Sequence, residues 1–212
     1  ISQTIGFNET PTGFDYWIPI MSIPGVLGIT LNNIPQNISY IVPNPTLVKQ
    51  WQDRLGPKKR LRVGFAWSGR RDSWINQHKA MPFIEMLTLI KSCPNYEWYN
   101  LQLDCTPEEE QILLAEGVKI FPGTVNNFAD TAGLVHHLDV VIGVDTAISH
   151  LGGAMGKPTW ILLSQFALDW RWLLNRDDSP WYPSARLFRQ PTMGDWTTPI
   201  ARVEQHLKLF KI

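Results

Sequence analysis

Along most of its length the chain alternates short apolar runs with stretches in which apolar residues return at helical spacing. The clearest run is Val140-Val141-Ile142-Gly143-Val144, continuous in the way a fully buried parallel strand is. Thr159–Leu163 repeats the pattern, and residues 61–67, 96–103, 118–121 and 185–188 read as further strands. Helices are expected at residues 46–55, 81–92, 127–137, 146–155 and 196–210, with a short helical turn at 170–174. Another opens at Thr106-Pro107-Glu108-Glu109, where cap, proline and acids stand in favoured positions. Thr46 reads as an N-cap, and Gly56-Pro57 as a stop. Alternation of this kind predicts an α/β fold: a doubly wound, mostly parallel, Rossmann-like sheet of roughly six strands.

The stretch from Leu138 to Trp160 is the centre of this pattern. Asp145 ends the strand and is expected to cap the next helix, since its carboxylate can accept orphan N–H groups of the first turn. Gly156 suits the helix C-terminus, and Pro158 follows where no helix continues. Gly152, Gly153 and Ala154 keep the helix thin enough for close packing. Open α/β sheets bind ligands beyond the carboxyl ends of their strands, and a helix N-terminus there favours phosphate. Thr146, Ser149 and His150 place polar groups on those first turns.

Residues 1–57 have a different character. Pro11, Pro19, Pro24, Pro35, Pro43 and Pro45 punctuate them and argue against long helices. Apolar clusters such as Tyr16-Trp17-Ile18 and Tyr40-Ile41-Val42 predict an ordered connecting segment and short helix packed on a main domain at 58–212. With hydrophobic residues at 44% and charged ones at 18% of 212, a substantial core follows rather than disorder. Lys+Arg 19 balance Asp+Glu 19, which removes the electrostatic basis for a general nucleic-acid binder. Cys93 and Cys105 form no metal-ligand pattern and read as reduced thiols of a cytoplasmic protein. No run is long enough to span a bilayer as a helix, and no signal peptide opens the chain. The first residue is Ile1 rather than Met, as in an excerpt of a longer protein.

Asp145-Thr146-Ala147-x-x-His150-Leu151-x-Gly153-Ala154-x-Gly156-x-Pro158 resembles the donor-site motif of bacterial heptosyltransferase-like glycosyltransferases. It is more similar still to the glycosyltransferase-like region at the C-terminus of bacterial tetratricopeptide-repeat proteins. Asp169-Trp170-Arg171-Trp172 is a second matching block, and the similarity extends with gaps from about Phe14 to Leu207. The resemblance implies a GT-B architecture, with residues 58–212 as the donor-binding half and a nucleotide sugar as substrate. It further implies an acceptor-binding half and repeats elsewhere in the protein, an unidentified acceptor, and a reaction needing neither metal nor other cofactor.

By the same resemblance, the loop after the first strand touches donor phosphates. Ser68 and the Gly69 N–H are the candidates, with Arg70, Arg71 or Lys79 supplying charge; a solvated basic loop is the competing reading. Relatives carry Arg-Ser where this chain has Lys79-Ala80, so a point charge replaces a bidentate fork. Gln102 is a candidate for a base or ribose edge, and Asp130 and Thr131 for the nucleotide. Glu108–Glu110 suit either a ribose contact or, more simply, the helix dipole. The helix-start residues Asp145, Thr146, Ala147 and His150 form the core of the donor site, joined by Asp169, Trp170 and Arg171 from the second block. His150 is the candidate acid or base, with phosphate or acceptor contact as the alternative. The block around Ser179-Pro180-Trp181-Tyr182-Pro183 reads as packing for the last strand. His136-His137 suit a helix C-terminus rather than a metal.

Three functions compete. The first is the donor domain of a glycosyltransferase. The second is a non-catalytic interaction module on a degenerate donor fold. The third is a nucleotide-sugar epimerase of the same architecture.

Overall fold

The computed structural model describes residues 9–10, 12–35, 39–166 and 168–210; the expected irregular course of residues 1–8, 11 and 36–38 lies outside them. The chain divides into two compact units, Ile1–Pro35 and Gln36–Ile212. In the first, a 3-10 turn at Ile20–Ser22 runs into a single helical turn, α1 (Ile23–Val26), with Pro24 in its first turn.

The second unit carries the elements α2 (Pro45–Leu55), β1 (Arg62–Ala66), α3 (Trp74–Lys79), α4 (Phe83–Ser92), β2 (Glu97–Asn100) and α5 (Pro107–Ala115). They continue with α6 (Phe128–His136), β3 (Val140–Val144), α7 (Ala147–Ala154), β4 (Thr159–Leu163), β5 (Ala185–Arg189) and α8 (Thr197–Leu209). The strands form one parallel sheet in the order β2-β1-β3-β4-β5. The crossover from β2 to β3 places β3 centrally, with Val140 opposite Val63 on one side and Val141 opposite Thr159 on the other.

Both faces of the sheet are covered, and alternate residues of each strand go to opposite layers. Val63, Phe65, Val140, Ile142, Val144 and Leu162 join α4 and α8 in one layer. Ala66, Val141, Ile148 and Leu151 join Trp51 of α2 and the apolar residues of α6 in the other. This explains why the strands read as unbroken apolar runs rather than as alternation.

Among the described residues the sheet has five strands where the sequence suggests about six. The segment at 118–121 makes a single bridge, Tyr99 to Lys119. Its ladder stops because the next N–H along β2's direction, that of Gln102, donates to the Asn100 side chain instead. Pro122 then has no N–H to offer. The helix α3 was not foreseen, being short and without an apolar stripe; Ser73 caps it. Helix α2 is capped by Asn44 rather than Thr46, because Pro45 already occupies the first turn. Thr106 and Glu109 make the reciprocal capping box at α5. Among the described residues no helix is long and apolar enough to cross a membrane.

The thin face of α7 has a specific occupant. A Cβ at Gly152 would lie 2.6 Å from Thr159 Oγ1, and one at Gly153 would lie 2.5 Å from Tyr182 Cγ. The second clash is with the root of a ring and has no flexible end to yield. Gly153→Ala should therefore destabilise by about 1–3 kcal/mol through overpacking. For a unit of this size that is a drop of roughly 2–12 °C in Tm, readable in thermal melts. A melt unchanged from wild type would show that Tyr182 can move away from the helix.

Candidate functional site

The carboxyl ends of β1 and β3 lie side by side, and the segments that leave them frame a cavity of about 660 Å³. Ser68, Gly69 and Arg70 line it from the β1 loop, Gln102 and Asp104 from beyond β2, and Asn127, Phe128 and Thr131 from α6. Asp145, Thr146, Ala147 and Ile148 line it from the β3–α7 junction. Asn76 of α3 completes the wall, with its amide 2.9 Å from where a Gly69 Cβ would stand. Gly69 thus keeps the loop close to α3.

Helix α7 presents its N-terminus to this cavity. No side chain caps it. The expectation that Asp145 would do so is not met, because the carboxylate is committed elsewhere. Lys79 Nζ lies 2.7 Å from Asp145 Oδ2, and His150 Nε2 lies 3.6 Å from Oδ1. Both members of the Lys79 pair are largely buried, with side chains 17% and 11% exposed. Burial by itself would raise the Asp145 carboxyl. His150, Lys79 and the Trp172 indole N–H, together with the Lys79 charge, outweigh it and hold the carboxyl down at about 2. That indole N–H is buried and stops short of hydrogen-bond geometry. The Thr146 hydroxyl is buried without a partner.

Gln102 is also committed. Its Oε1 accepts from the N–H groups of Trp67 at 3.2 Å and Ser68 at 3.0 Å, and its Nε2 donates to Ser68 Oγ and to Asp104. It is a brace for the β1 loop, and the polar face it turns to the cavity is largely spent. The basic residues nearby are neutralised in the same way. Arg70 pairs with Asp72, and Arg71 with Glu109.

His150 does not line this cavity. It belongs to an adjoining one of about 640 Å³, bounded by Tyr40–Asn44, α6, α7 and Tyr182; Phe128 and Ala147 form the wall common to both. Asp169, Trp170 and Arg171 line neither cavity. Asp169 caps the turn at Trp170–Trp172 and chelates Arg171, whose guanidinium sits 4.5 Å over the Trp170 ring. The residue of that block which reaches the site is Trp172, fully buried and stacked on His150 at 5.1 Å. Sequence reading also passed over Asn76 and set Tyr182 aside as packing. A Ser73 cap was the available signal for Asn76; Trp172 and Tyr182 stand in blocks already noted, but nothing local assigns either a place at this site.

Among the described residues no group of three or more His, Cys, Asp and Glu is arranged to hold a metal. Cys93 and Cys105 are unpaired, and burial raises both thiols, Cys105 to about 11.

With this geometry in hand, the solved structures that the chain resembles are informative. It superimposes on the E. coli ADP-heptose LPS heptosyltransferase II with a TM-score of 0.59 at 16% identity, over 84% of this chain and 53% of that one. E. coli heptosyltransferase WaaC, solved with ADP, gives 0.53 at 17% identity over 76% and 48%. A family 9 glycosyltransferase from Veillonella parvula gives 0.53 at 12% identity over 86% and 52%. The fold is glycosyltransferase-like. The chain spans about half the length of those structures. In sequence it is 31% identical to protein FlbA of Caulobacter vibrioides across 93% of its own length and 33% of that protein's. No family model matches.

The buried ion pair gives an acid signature. Asp145 is depressed from 3.8 to about 2. Its contribution is thus complete above the unfolded value and lost as pH falls toward 2, and amounts to about 2 kcal/mol. Asp145→Asn should remove that part of the acid dependence. It should also cost about 3–5 kcal/mol at neutral pH by leaving Lys79 unpaired. Denaturant titrations of both proteins at neutral and acid pH check this. Equal acid slopes would place the pairing elsewhere.

Proposed function

We propose that this unit is the donor half of a glycosyltransferase, holding a nucleotide diphosphate sugar in the cavity at the carboxyl ends of β1 and β3. The observation that carries the reading is the uncapped N-terminus of α7 opening onto that cavity, opposite the Ser68-Gly69 loop. Free N–H groups and the positive end of the helix dipole favour a diphosphate there. A cavity of about 660 Å³ whose wall combines the amides of Asn76, Gln102 and Asn127 with Phe128 and aliphatic side chains, beside the charged Arg70, Asp104 and Asp145, suits a nucleoside. The similar structures of heptosyltransferase WaaC were solved with ADP and with ADP-2-deoxy-2-fluoro heptose, which supports a nucleotide diphosphate as the ligand class. In this reading the helix end and nearby donors, rather than a metal, stabilise the leaving diphosphate. The acceptor-binding half, the upstream tetratricopeptide repeats, an unidentified acceptor and a cytoplasmic setting are parts of the same proposal.

One observation favours the second reading, an interaction module on a degenerate donor fold. Arg70, Arg71, Lys79 and Arg171 are each paired with a carboxylate of the chain itself. A diphosphate entering here meets helix N–H groups but no uncommitted cation among these four. Nothing specific in the site favours an epimerase.

The test is calorimetric titration with UDP-, ADP- and GDP-sugars, using Ala147→Glu as the diagnostic variant. A carboxylate at the first position of α7 complements the helix dipole, so the fold should be as stable or slightly more so. The same charge repels phosphate, and the expected loss of affinity is about tenfold or more, or roughly 1.4 kcal/mol. Equal affinity in wild type and variant moves the ligand away from α7. Failure of the wild type to bind any of the three supports the module. Product analysis of the full-length protein separates transfer from epimerisation.

A further inference from the structure

The neighbourhood of His150 contains an arrangement that the donor reading does not need and does not explain. Both ring nitrogens of His150 face polar groups of the protein. Nε2 faces Asp145 Oδ1 at 3.6 Å, and Nδ1 lies 3.0 Å from the Tyr182 hydroxyl. One face of the imidazole is stacked on Trp172, with 21° between the planes, and Tyr182 packs edge-on at 5.7 Å. Nδ1 is taken by Tyr182, Nε2 is turned toward Asp145, and the ring lies outside the cavity that Asp145 lines. This argues against His150 as the acid or base.

We propose that Tyr182 is a positioning residue for this site, acting through His150 to hold the Asp145 carboxylate in place at the cavity wall. The proton logic is simple. A carboxylate only accepts, so the nitrogen facing Asp145 carries the N–H. That makes Nδ1 of the neutral ring an acceptor, and the Tyr182 O–H its donor. If the ring gains a proton, Nδ1–H donates and the same hydroxyl turns to accept; no other neutral side chain of this shape serves both states. Tyr40 lines the same cavity as Tyr182. Burial raises the Tyr182 phenol well above its ordinary range, so its hydroxyl keeps the proton that Nδ1 accepts.

The scaffold is built to admit the tyrosine. Gly153 leaves the space that the ring fills, and Tyr182 is only 8% exposed. The Trp172 ring, in contact with both His150 and Tyr182, closes the remaining side. Asp145 is thereby gripped at both oxygens: by the Lys79 charge at Oδ2, and by an oriented imidazole at Oδ1. Its consequence for ligand binding rests on the donor reading; the positioning itself does not.

The experiment is side-chain NMR of the 15N-labelled protein, with His150 assigned from His150→Gln. Tyr182→Phe keeps the ring and removes only the hydroxyl, and thermal melts confirm that it folds. The expected result is a downfield movement of the His150 Nδ1 resonance by several ppm, as it loses its donor. A rise in the Asp145 carboxyl titration midpoint should accompany it. Tyr40→Phe should leave Nδ1 near its wild-type position. An unmoved Nδ1 in Tyr182→Phe overturns the proposal, as does an equal movement in Tyr40→Phe. Nucleotide titrations on the same samples keep the two readings apart. A moved Nδ1 in a protein that binds no nucleotide refutes the donor site and leaves the role of Tyr182 standing. Nucleotide binding beside an unmoved Nδ1 does the reverse.

Discussion

A carboxylate at the end of a central strand cannot be left alone in the interior. Asp145 is largely buried, and an unpaired buried charge costs several kcal/mol. Everything near it is arranged to avoid that cost. Lys79 arrives from the end of α3, an element with no other buried anchor of its own. His150 comes from the next turn of α7, and Trp172 from the turn after β4, so that segments far apart in sequence meet at one group. The pair does more than stabilise. It pins α3 against the sheet, and with it Asn76 and the β1 loop, so the shape of the cavity depends on the same contact that neutralises the charge.

The same economy runs through the rest of the site. Gln102 spends its amide on the β1 loop, and Arg70, Arg71 and Arg171 each face an acid of the chain. The exposed pairs among these contribute little to stability and separate easily in water. The Lys79 pair is different, because opening it would uncover two buried charges. A ligand that needs Lys79 must replace Asp145 as its partner; one that needs only helix N–H groups does not. The balance between donor site and interaction module therefore turns on how much of an incoming diphosphate α7 alone can satisfy.

Much of the fold was legible in the chain. The run Val140–Val144, the thin helix after it, Gly156 at its end and Thr159–Leu163 beyond form a local pattern, and strand and helix period are local properties. From that pattern the parallel sheet and the position of Asp145 follow. The sixth strand did not form, since Asn100 intercepts the N–H that would have extended its ladder, a side-chain competition no periodicity reveals. Helix α3 is too short to register a period at all.

What the sequence determined by itself is the scaffold: which segments are strands and helices, that the sheet is parallel and covered on both faces, and which strand end faces the cavity. What the tertiary structure decided is the commitment of each polar group there. Asp145 was placed to cap α7, yet its partner is Lys79, brought from 66 residues away. Gln102 was placed to meet a ligand, yet it braces a loop 34 residues upstream. His150 faces Tyr182 and Trp172, outside the cavity its neighbours line. The reason is the reach of the forces. Backbone preference and hydrophobic period act within a turn or a strand, whereas the partner of a buried charge is set by whichever opposite group the packed chain carries within hydrogen-bond distance.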